Sequence, residues 1–188
     1  MADELVLVNG LPGAGKSTLA PLLAAALAVP MISKDIVKEA LADIVPAVPS
    51  QDLGRITMDA MWSMAGTIAG TVLLEGWWLA PRDRRFAQAG VAVAKARRVV
   101  EVWCDVPSAL ARDRYIRRQR HWVHRDHRPV VANWDSWASL AGPLELGPTI
   151  RVRTDAPTDP AAIAQAVRAA FADQPPTTRT NNGLGRYR

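Results

Sequence analysis

Short apolar segments alternate with longer segments of helical character along most of this 188-residue chain. Each apolar segment is bounded by turn-forming or polar residues, which is typical of a buried strand. They predict five β-strands, near residues 4–9, 30–33, 71–75, 98–104 and 149–153. The intervening segments predict six helices, near residues 16–28, 35–43, 51–69, 82–95, 107–120 and 159–172. Strands that alternate with helices in this way indicate an α/β fold.

A chain of this length and apolar content is expected to form one domain, which we place at 1–173. From Gln174 onward, the sequence QPPTTRTNNGLGRYR is polar and contains few apolar residues. It therefore predicts a flexible basic tail over 174–188. A basic arm that covers a bound nucleotide or a partner is the alternative for this tail.

The glycine-rich segment after the first predicted strand is the strongest functional signal in the chain. The residues GLPGAGKST, at 10–18, match the phosphate-binding pattern G-x-x-x-x-G-K-[ST]. Small residues allow successive backbone N–H groups to turn toward an anion, and the N-terminus of the following helix adds partial positive charge. Ser17 is also the expected hydroxyl ligand of Mg²⁺. The residues predicted to bind the nucleotide are Gly10, Pro12, Gly13, Ala14, Gly15, Lys16, Ser17 and Thr18.

Charge and cysteine content indicate which partners and which cellular compartment to expect for the protein. The net charge of +5 favours anionic partners, and either a nucleotide-phosphate site or a nucleic acid would satisfy it. The single cysteine, Cys104, cannot form an internal disulfide, so a cytoplasmic location is expected. No apolar run has the length of a membrane span, and no membrane partner is expected.

The other motifs of the chain restrict the class of P-loop protein. A GTPase would carry D-x-x-G and N-K-x-D motifs, and a motor or AAA+ machine would have a larger domain and a strand ending in Asp-Glu. The sequence contains none of these. A compact nucleoside-triphosphate-dependent kinase is the class that remains.

Asp35 is the predicted catalytic base. It follows the second predicted strand, and ligands of open α/β sheets gather outside the carboxyl ends of the strands. A kinase needs a carboxylate there to orient the acceptor hydroxyl and accept its proton. The alternative is that Asp35 only caps a helix that begins at Ile36.

Glu75 is the predicted partner of Mg²⁺ because it ends the buried strand TVLLE. It could instead hydrogen-bond the acceptor, and Asp105, at the end of VVEVWCD, is a rival for the metal. The two tryptophans after Gly76, Trp77 and Trp78, fit either a wall of the acceptor pocket or the hydrophobic core.

The segment 112–128, RDRYIRRQRHWVHRDHR, holds seven arginines against two aspartates. We expect it to form a lid that brings arginines over the triphosphate, where they offset the charge of the transferring group. A solvated basic helix and a nucleic-acid surface with Trp122 as a stacking platform are the alternatives. The histidines of the segment recur every three residues without a spacing suited to zinc. The candidate catalytic arginines are Arg114, Arg117, Arg118 and Arg120, and Lys16 completes the catalytic set.

Together the segments GLPGAGKST, SKD, LLEGWW and CDVP followed by R-x-R-x-x-R-R resemble the small P-loop kinases of the AAA_33 group. This group includes relatives of chloramphenicol phosphotransferase, zeta-toxin kinases and polynucleotide kinases. The resemblance covers roughly residues 4–172. It implies a three-layer P-loop NTPase fold, in which a parallel five-stranded sheet of order 2-3-1-4-5 lies between helices. It also implies ATP and Mg²⁺, a base at Asp35 and lid arginines within 114–120.

Two departures from that group concern the substrate and the adenine. The stretch HWVHRDHRP replaces the R-x-x-H-P-x-H type of sequence that relatives often carry after the lid. The loop 121–148, with its tryptophans Trp122, Trp134 and Trp137, is therefore expected to face a substrate particular to this protein. Arg153 stands where relatives usually have an acid.

These observations predict a kinase that transfers the γ-phosphate of ATP to a hydroxyl of a small molecule such as an antibiotic, a sugar or a nucleotide-like metabolite. The alternatives are a polynucleotide or tRNA kinase, a zeta-like toxin acting on an amino-sugar nucleotide, and a nucleotide-sensing module without an acceptor. The acceptor pocket is expected to be built from 36–80 and 121–148. The sequence is compatible with either a monomer or a homodimer.

Overall fold

A computed structural model describes residues 2–124 and 128–175 of the chain. Most of the predicted tail therefore lies outside the described residues, as do Arg125 and His127 of the predicted lid. Among the described helices, none combines the length and the apolar character that crossing a bilayer requires.

The five predicted strands form one sheet, and all its neighbouring strands run parallel. The strand order is β2-β3-β1-β4-β5, which confirms the order implied by the family resemblance. In such a sheet the carboxyl ends of the strands lie at one edge, where the loops can build a site. The strands are β1 (Ala2–Asn9), β2 (Met31–Ser33), β3 (Gly70–Glu75), β4 (Arg98–Asp105) and β5 (Thr149–Arg153).

Helices cover both faces of the sheet, so the strands are apolar on both sides. On β1, Val6 and Val8 belong to the core cluster that contains residues of the helices α1 (Lys16–Leu27) and α8 (Pro160–Ala172). Leu5 and Leu7 belong to the cluster with residues of α3 (Ser50–Ala65) and α4 (Ala80–Ala94). This separation follows from the two-residue period of a strand. All four side chains are fully buried, and burial of each contributes about 1.5–3 kcal/mol. The central strand that leads into the P-loop is thus firmly held.

The observed helices match the six predictions and add two short ones. The helices are α1 (Lys16–Leu27), α2 (Lys34–Ile44), α3 (Ser50–Ala65), α4 (Ala80–Ala94), α5 (Ser108–Arg117), α6 (Arg128–Ala132), α7 (Trp134–Leu140) and α8 (Pro160–Ala172). A single 3₁₀ turn at Trp122–His124 lies between α5 and α6.

Several helix boundaries and one loop differ from the sequence-based predictions, and the ends of α5 and α3 differ most. Helix α5 ends at Arg117 rather than at residue 120, because the backbone of Arg118 is extended. No glycine marks this helix end in the sequence. Helix α3 ends at Ala65, four residues early, and α2 begins at Lys34. The segment 121–148, predicted as a loop, contains α6 and α7 because Trp134 is buried against Tyr115 in the core. A contact between residues so far apart in the sequence produces no periodic pattern of apolar residues from which a helix could be predicted.

Candidate functional site

A cavity of about 1190 Å³ lies at the carboxyl-terminal edge of the sheet. The loops after β1, β3 and β5 contribute to its lining, together with the first turns of α2, the end of α5 and the 3₁₀ turn. Among the predicted nucleotide-binding residues, six line it: Pro12, Gly13, Gly15, Lys16, Ser17 and Thr18. Gly10 and Ala14, also predicted, are buried within the loop behind this surface.

The P-loop wraps tightly between β1 and α1. Gly13 has a φ of 82° and Gly15 a φ of 83°, a left-handed conformation that side chains disfavour. A Cβ atom added at Gly13 would lie 2.1 Å from the carbonyl oxygen of Ala111 in α5. The phosphate loop and the arginine-bearing helix are therefore in direct backbone contact.

Lys16 is held inside the P-loop. Its Nζ donates hydrogen bonds to the carbonyl oxygens of Gly10, at 2.8 Å, and Leu11, at 2.9 Å. Burial lowers the pKa of Lys16, and the negative charge of Glu75 acts in the opposite direction. A bound triphosphate would supply the negative charge that this buried ammonium group lacks.

Glu75 is buried at the end of β3 and lines the cavity. Its Oε2 accepts a hydrogen bond of 2.5 Å from the hydroxyl of Ser33, which ends β2. Burial raises the pKa of Glu75, while Lys16 opposes that shift. Asp105, its rival for the metal, lies 3.8 Å from Arg151 and is not part of the cavity lining. The structure thus brings Glu75, and not Asp105, to the P-loop.

Asp35 is the second residue of α2 and also lines the cavity. Since α2 begins at Lys34, Ser33 is the N-cap residue, and the interpretation of Asp35 as a simple cap is wrong. The side chain of Asp35 is 54% exposed, and its Oδ1 lies 3.9 Å from Nε2 of His124. Burial lowers the pKa of His124 to about 4, so this imidazole is neutral near pH 7.

Three of the four candidate arginines reach the cavity. Arg118 donates a hydrogen bond of 3.0 Å to the hydroxyl of Ser17, and Arg114 donates one of 3.1 Å to the carbonyl oxygen of Thr154. The guanidinium of Arg120 lies 3.9 Å from the centre of the Tyr115 ring. Arg117 is exposed and lies outside the lining, because it is on another face of α5.

The aromatic and histidine side chains divide between the core and the site. Trp77 lines the cavity and packs on Trp137 with 4.7 Å between ring centres, whereas Trp78 is buried in the core against Trp62. Trp77 therefore lies at the cavity, and Trp78 belongs to the hydrophobic core. Trp122, at the cavity rim, donates to Asp43.

His121 also contacts Asp43, at 3.0 Å, whereas His124 faces α2. Within residues 2–124 and 128–175, no group of three or more His, Cys, Asp or Glu side chains is placed to hold a metal ion.

Sequence reasoning missed a buried polar network beneath the site. Asn9, the last residue of β1, donates hydrogen bonds to the carbonyl oxygen of Trp78, at 3.1 Å, and to Glu101, at 2.9 Å. Its Oδ1 accepts from the backbone N–H groups of Gly10 and Trp78. Glu101 in turn accepts from the N–H of Leu144 at 2.7 Å. The available sequence signal was one polar residue next to buried apolar residues in each strand, Asn9 in β1 and Glu101 in β4.

Thr154 was missed as well. Its hydroxyl donates to the carbonyl oxygen of Ala14 at 2.7 Å, and its backbone N–H donates to the carbonyl oxygen of Asp105 at 2.9 Å. Because Arg114 also bonds to Thr154, this residue joins the loop after β5 to the P-loop and to α5. The polar segment TDAP after an apolar strand was the available signal.

Similar structures support the description of this fold. A proposed kinase from Chloroflexus aurantiacus is 26% identical over 88% of this chain and 97% of its own, with a TM-score of 0.73. An APS kinase from Mycobacterium tuberculosis, solved with AMPPNP and APS, is 19% identical, with a TM-score of 0.57 and coverage of 90% and 98%. A gluconokinase from Sinorhizobium meliloti is also 19% identical, with a TM-score of 0.56 and coverage of 90% and 92%. At 19% identity, the last two show the shared fold alone.

The sequence comparisons place the chain in a family. None of the curated proteins matches it in sequence. A family model, AAA_33, described as an AAA domain, matches residues 5–144. This match includes the P-loop, Asp35, Glu75 and the arginines of α5, and it confirms the resemblance drawn from the sequence. The chain belongs to the AAA_33 family of P-loop proteins.

Proposed function

We propose that this protein is a kinase that transfers the γ-phosphate of ATP to a hydroxyl of a small molecule. The observation that carries the proposal is the shared cavity, in which Lys16 and Ser17 of the P-loop face the same space as Asp35 and Glu75. Ligand pockets commonly measure about 300–1,000 Å³, so a cavity of about 1190 Å³ has room for both a nucleotide and an acceptor. The likeness to the proposed kinase of Chloroflexus aurantiacus supports the same activity.

The P-loop would hold the triphosphate. Gly13 and Gly15 turn the backbone so that its N–H groups can cradle an anion, and α1 directs its N-terminus at the same place. Lys16 would exchange its hydrogen bonds to loop carbonyls for phosphate oxygens. This exchange gives the buried ammonium group anionic hydrogen-bond partners in place of neutral carbonyl oxygens.

Asp35 would act as the base. In the transfer, the acceptor oxygen attacks the γ-phosphorus, the bond from that phosphorus to the β,γ-bridging oxygen breaks, and ADP leaves with the bonding electrons. The hydroxyl proton passes to the Asp35 carboxylate. Among the described residues, the side chain recorded within 4.0 Å of the Asp35 carboxylate is that of His124, which is neutral near pH 7, so no ion pair at that distance occupies the carboxylate.

The oxygen atoms present fit Mg²⁺, which prefers hard oxygen ligands and takes many of them from phosphates and water. The residues that would hold it are Ser17, by its hydroxyl, and Glu75, by its carboxylate, since both line the cavity beside Lys16. When bound, the ion offsets the negative charge of the β- and γ-phosphates.

Arg114, Arg118 and Arg120 would offset the remaining charge on the transferring group. Arg118 is the leading candidate because its guanidinium already lies 3.0 Å from Ser17, above the expected position of the phosphates. Arg120 has a buried Nε without a hydrogen-bond partner among the described residues, and an arriving phosphate would satisfy it. Arg117 is not part of this proposal, because it faces away from the cavity.

The proposal is tested with labelled ATP and a fractionated metabolite extract. The wild-type protein should transfer label to a small molecule, and Asp35→Asn should reduce the rate by about 10²–10⁴-fold, the usual contribution of a general base. Calorimetry with AMPPNP should show that this variant still binds nucleotide.

Asp52→Asn is the matched control. Asp52 also lies in the first turn of a helix, but it is exposed on α3 and outside the cavity. Asp52→Asn therefore removes a negative charge from the N-terminus of a helix, as Asp35→Asn does, without changing a residue of the cavity. Normal transfer by Asp35→Asn would overturn the role of the base. Binding of AMPPNP without any labelled product would instead indicate a nucleotide-sensing module.

A further inference from the structure

The lysines of the chain are distributed unevenly. Only four of the 23 basic residues are lysines, at positions 16, 34, 38 and 95. Lys16 belongs to the P-loop, and Lys34 and Lys38 line the same cavity. Lys95 is exposed at the end of α4, outside the lining. Two lysines of the cavity therefore lie outside the P-loop motif.

Lys34 and Lys38 lie one turn apart on α2 and so present their ammonium groups on the same face. Two like charges at this spacing repel each other, and Lys34 is the first residue of the helix, where the macrodipole disfavours a cation. Burial lowers the pKa of both lysines, and the charge of Lys34 contributes to the shift of Lys38. Both positions are thus unfavourable for lysine unless an anion binds there.

The neighbouring side chains do not provide that anion. Among the described residues, neither lysine has a carboxylate within 4.0 Å, and Nζ of Lys38 donates to the neutral hydroxyl of Ser50 at 2.8 Å. Asp83 is already held by Arg82 and by the N–H of Leu79. Glu75 accepts from Ser33. Asp35, Asp83 and Glu75 act on Lys34, and Asp35 acts on Lys38, only from beyond ion-pair distance, and burial still lowers the pKa of both lysines.

The fold separates this pair from the phosphate loop. Lys34 directly follows β2, Lys16 follows the loop after β1, and β3 lies between these strands. Two strand spacings amount to about 10 Å. Asp35 and Glu75 influence the pKa of both Lys16 and Lys34, so they lie near each of them. An anion at Lys34 would accordingly sit on the acceptor side of Asp35.

We propose that the acceptor carries an anionic group, a phosphate, a sulfate or a carboxylate, which binds between Lys34 and Lys38 while its hydroxyl faces Asp35. That the bound molecule is a phosphate acceptor rests on the proposed kinase function. The anion site itself rests on the cavity alone. Trp77, packed on Trp137, forms an apolar wall of the same cavity and suits the carbon skeleton of such a molecule.

The anion site is tested by binding, with the phosphate loop already filled. The full chain is saturated with AMPPNP and Mg²⁺, and sodium sulfate, phosphate and acetate are titrated by calorimetry at constant ionic strength. At least one of these anions should bind, and the preferred anion identifies the group. Lys34→Gln and Lys38→Gln should each weaken this binding at least tenfold, and Lys34→Arg should restore part of it.

Lys95→Gln is the control for the loss of one positive charge, and it should bind the anions like the wild type. Thermal unfolding of each variant checks that α2 is intact, and the affinity for AMPPNP should be unchanged in Lys34→Gln. If no anion binds, or if the glutamine variants bind as tightly as Lys95→Gln, the inference is wrong.

The transfer assay separates this inference from the proposed function. Acceptors of one skeleton are compared in their neutral, carboxylated and phosphorylated forms, beginning with glucose, gluconate and glucose 6-phosphate. Faster transfer to a charged form, with a KM for it that rises at least tenfold in Lys34→Gln, supports the inference. Transfer to neutral acceptors with no effect of Lys34→Gln would overturn it and leave the kinase function intact. Anion binding without transfer to any acceptor would overturn the kinase function instead.

Discussion

The contact between the P-loop and α5 at Gly13 gives a prediction that can be worked out from the structure. A Cβ at this position would lie 2.1 Å from the carbonyl oxygen of Ala111 and 3.0 Å from its carbonyl carbon. Backbone atoms of a helix cannot rotate away as a flexible side chain can. Gly13→Ala should therefore displace α5 or the P-loop itself.

Two costs add in this variant. A left-handed φ costs a residue with a Cβ about 1–2 kcal/mol, and Gly13 has a φ of 82°. Overpacking in a dense region adds about 1–3 kcal/mol. The sum of about 2–5 kcal/mol should lower the Tm by roughly 5–20 °C in a protein of this size. The affinity for AMPPNP should fall at least tenfold, because the cradle and Arg118 move apart.

Two other glycines separate these costs. Gly70 has a φ of 81° but nothing within 4 Å of its Cβ position, so Gly70→Ala isolates the cost of the backbone conformation. Gly142 has neither a positive φ nor a close neighbour, so Gly142→Ala should leave the Tm unchanged or slightly raised. Thermal unfolding followed by circular dichroism should rank the Tm values as Gly142→Ala, then Gly70→Ala, then Gly13→Ala. If Gly13→Ala and Gly70→Ala had the same Tm, the predicted cost of the contact between Gly13 and Ala111 would be refuted.

Three further predictions concern buried groups. Burial lowers the pKa of His124 from 6.5 to about 4. The unfolded chain therefore takes up a proton there at a higher pH than the folded chain, and stability should decline by about 2 kcal/mol between pH 7 and pH 5. Urea unfolding should show a smaller decline in His124→Gln, and equal declines would contradict the assignment. Burial raises the pKa of Cys104 to about 12, so iodoacetamide at pH 8 should label it only after unfolding, and rapid labelling of the folded protein would count against its burial. Asn9→Ala should destabilise the protein by about 2–4 kcal/mol, because it leaves several buried polar groups without partners; a urea midpoint close to that of the wild type would show that the network contributes little.

The sequence predicts the fold well because its signals are local. The apolar run Leu5–Val8 and the glycines that follow it determine a strand, a turn and a helix from residues adjacent in the chain. The placement of Asp35 and Glu75 follows from the rule that the carboxyl ends of parallel strands share one edge. These features appear in the structure at the predicted positions.

The remaining features depend on contacts between distant segments. Which arginine enters the cavity is decided by where α5 stops, and no residue near Arg117 marks that point in the sequence. The partner of Asn9 is Glu101, on the neighbouring strand but 92 positions away, so neither residue indicates the other in advance. That Asp83 and Glu75 are engaged with other groups, and form no ion pair with Lys34, likewise appears only in three dimensions.

The central position of β1 has a consequence for the order in which the chain acquires its binding capacity. Leu5 pairs with Val72 on one side and with Val99 on the other, so both neighbours of this strand are distant in sequence. During synthesis β1 and the P-loop leave the ribosome before β3 and β4, so the edges of β1 stay uncovered until those two strands have emerged. Thr154, which closes the loop from the far side, follows about fifty residues later. Because sheets of non-local strands form slowly, a nucleotide at the P-loop can stabilise the nascent chain only after the segment with Thr154 has emerged, and an exposed β1 needs protection until then.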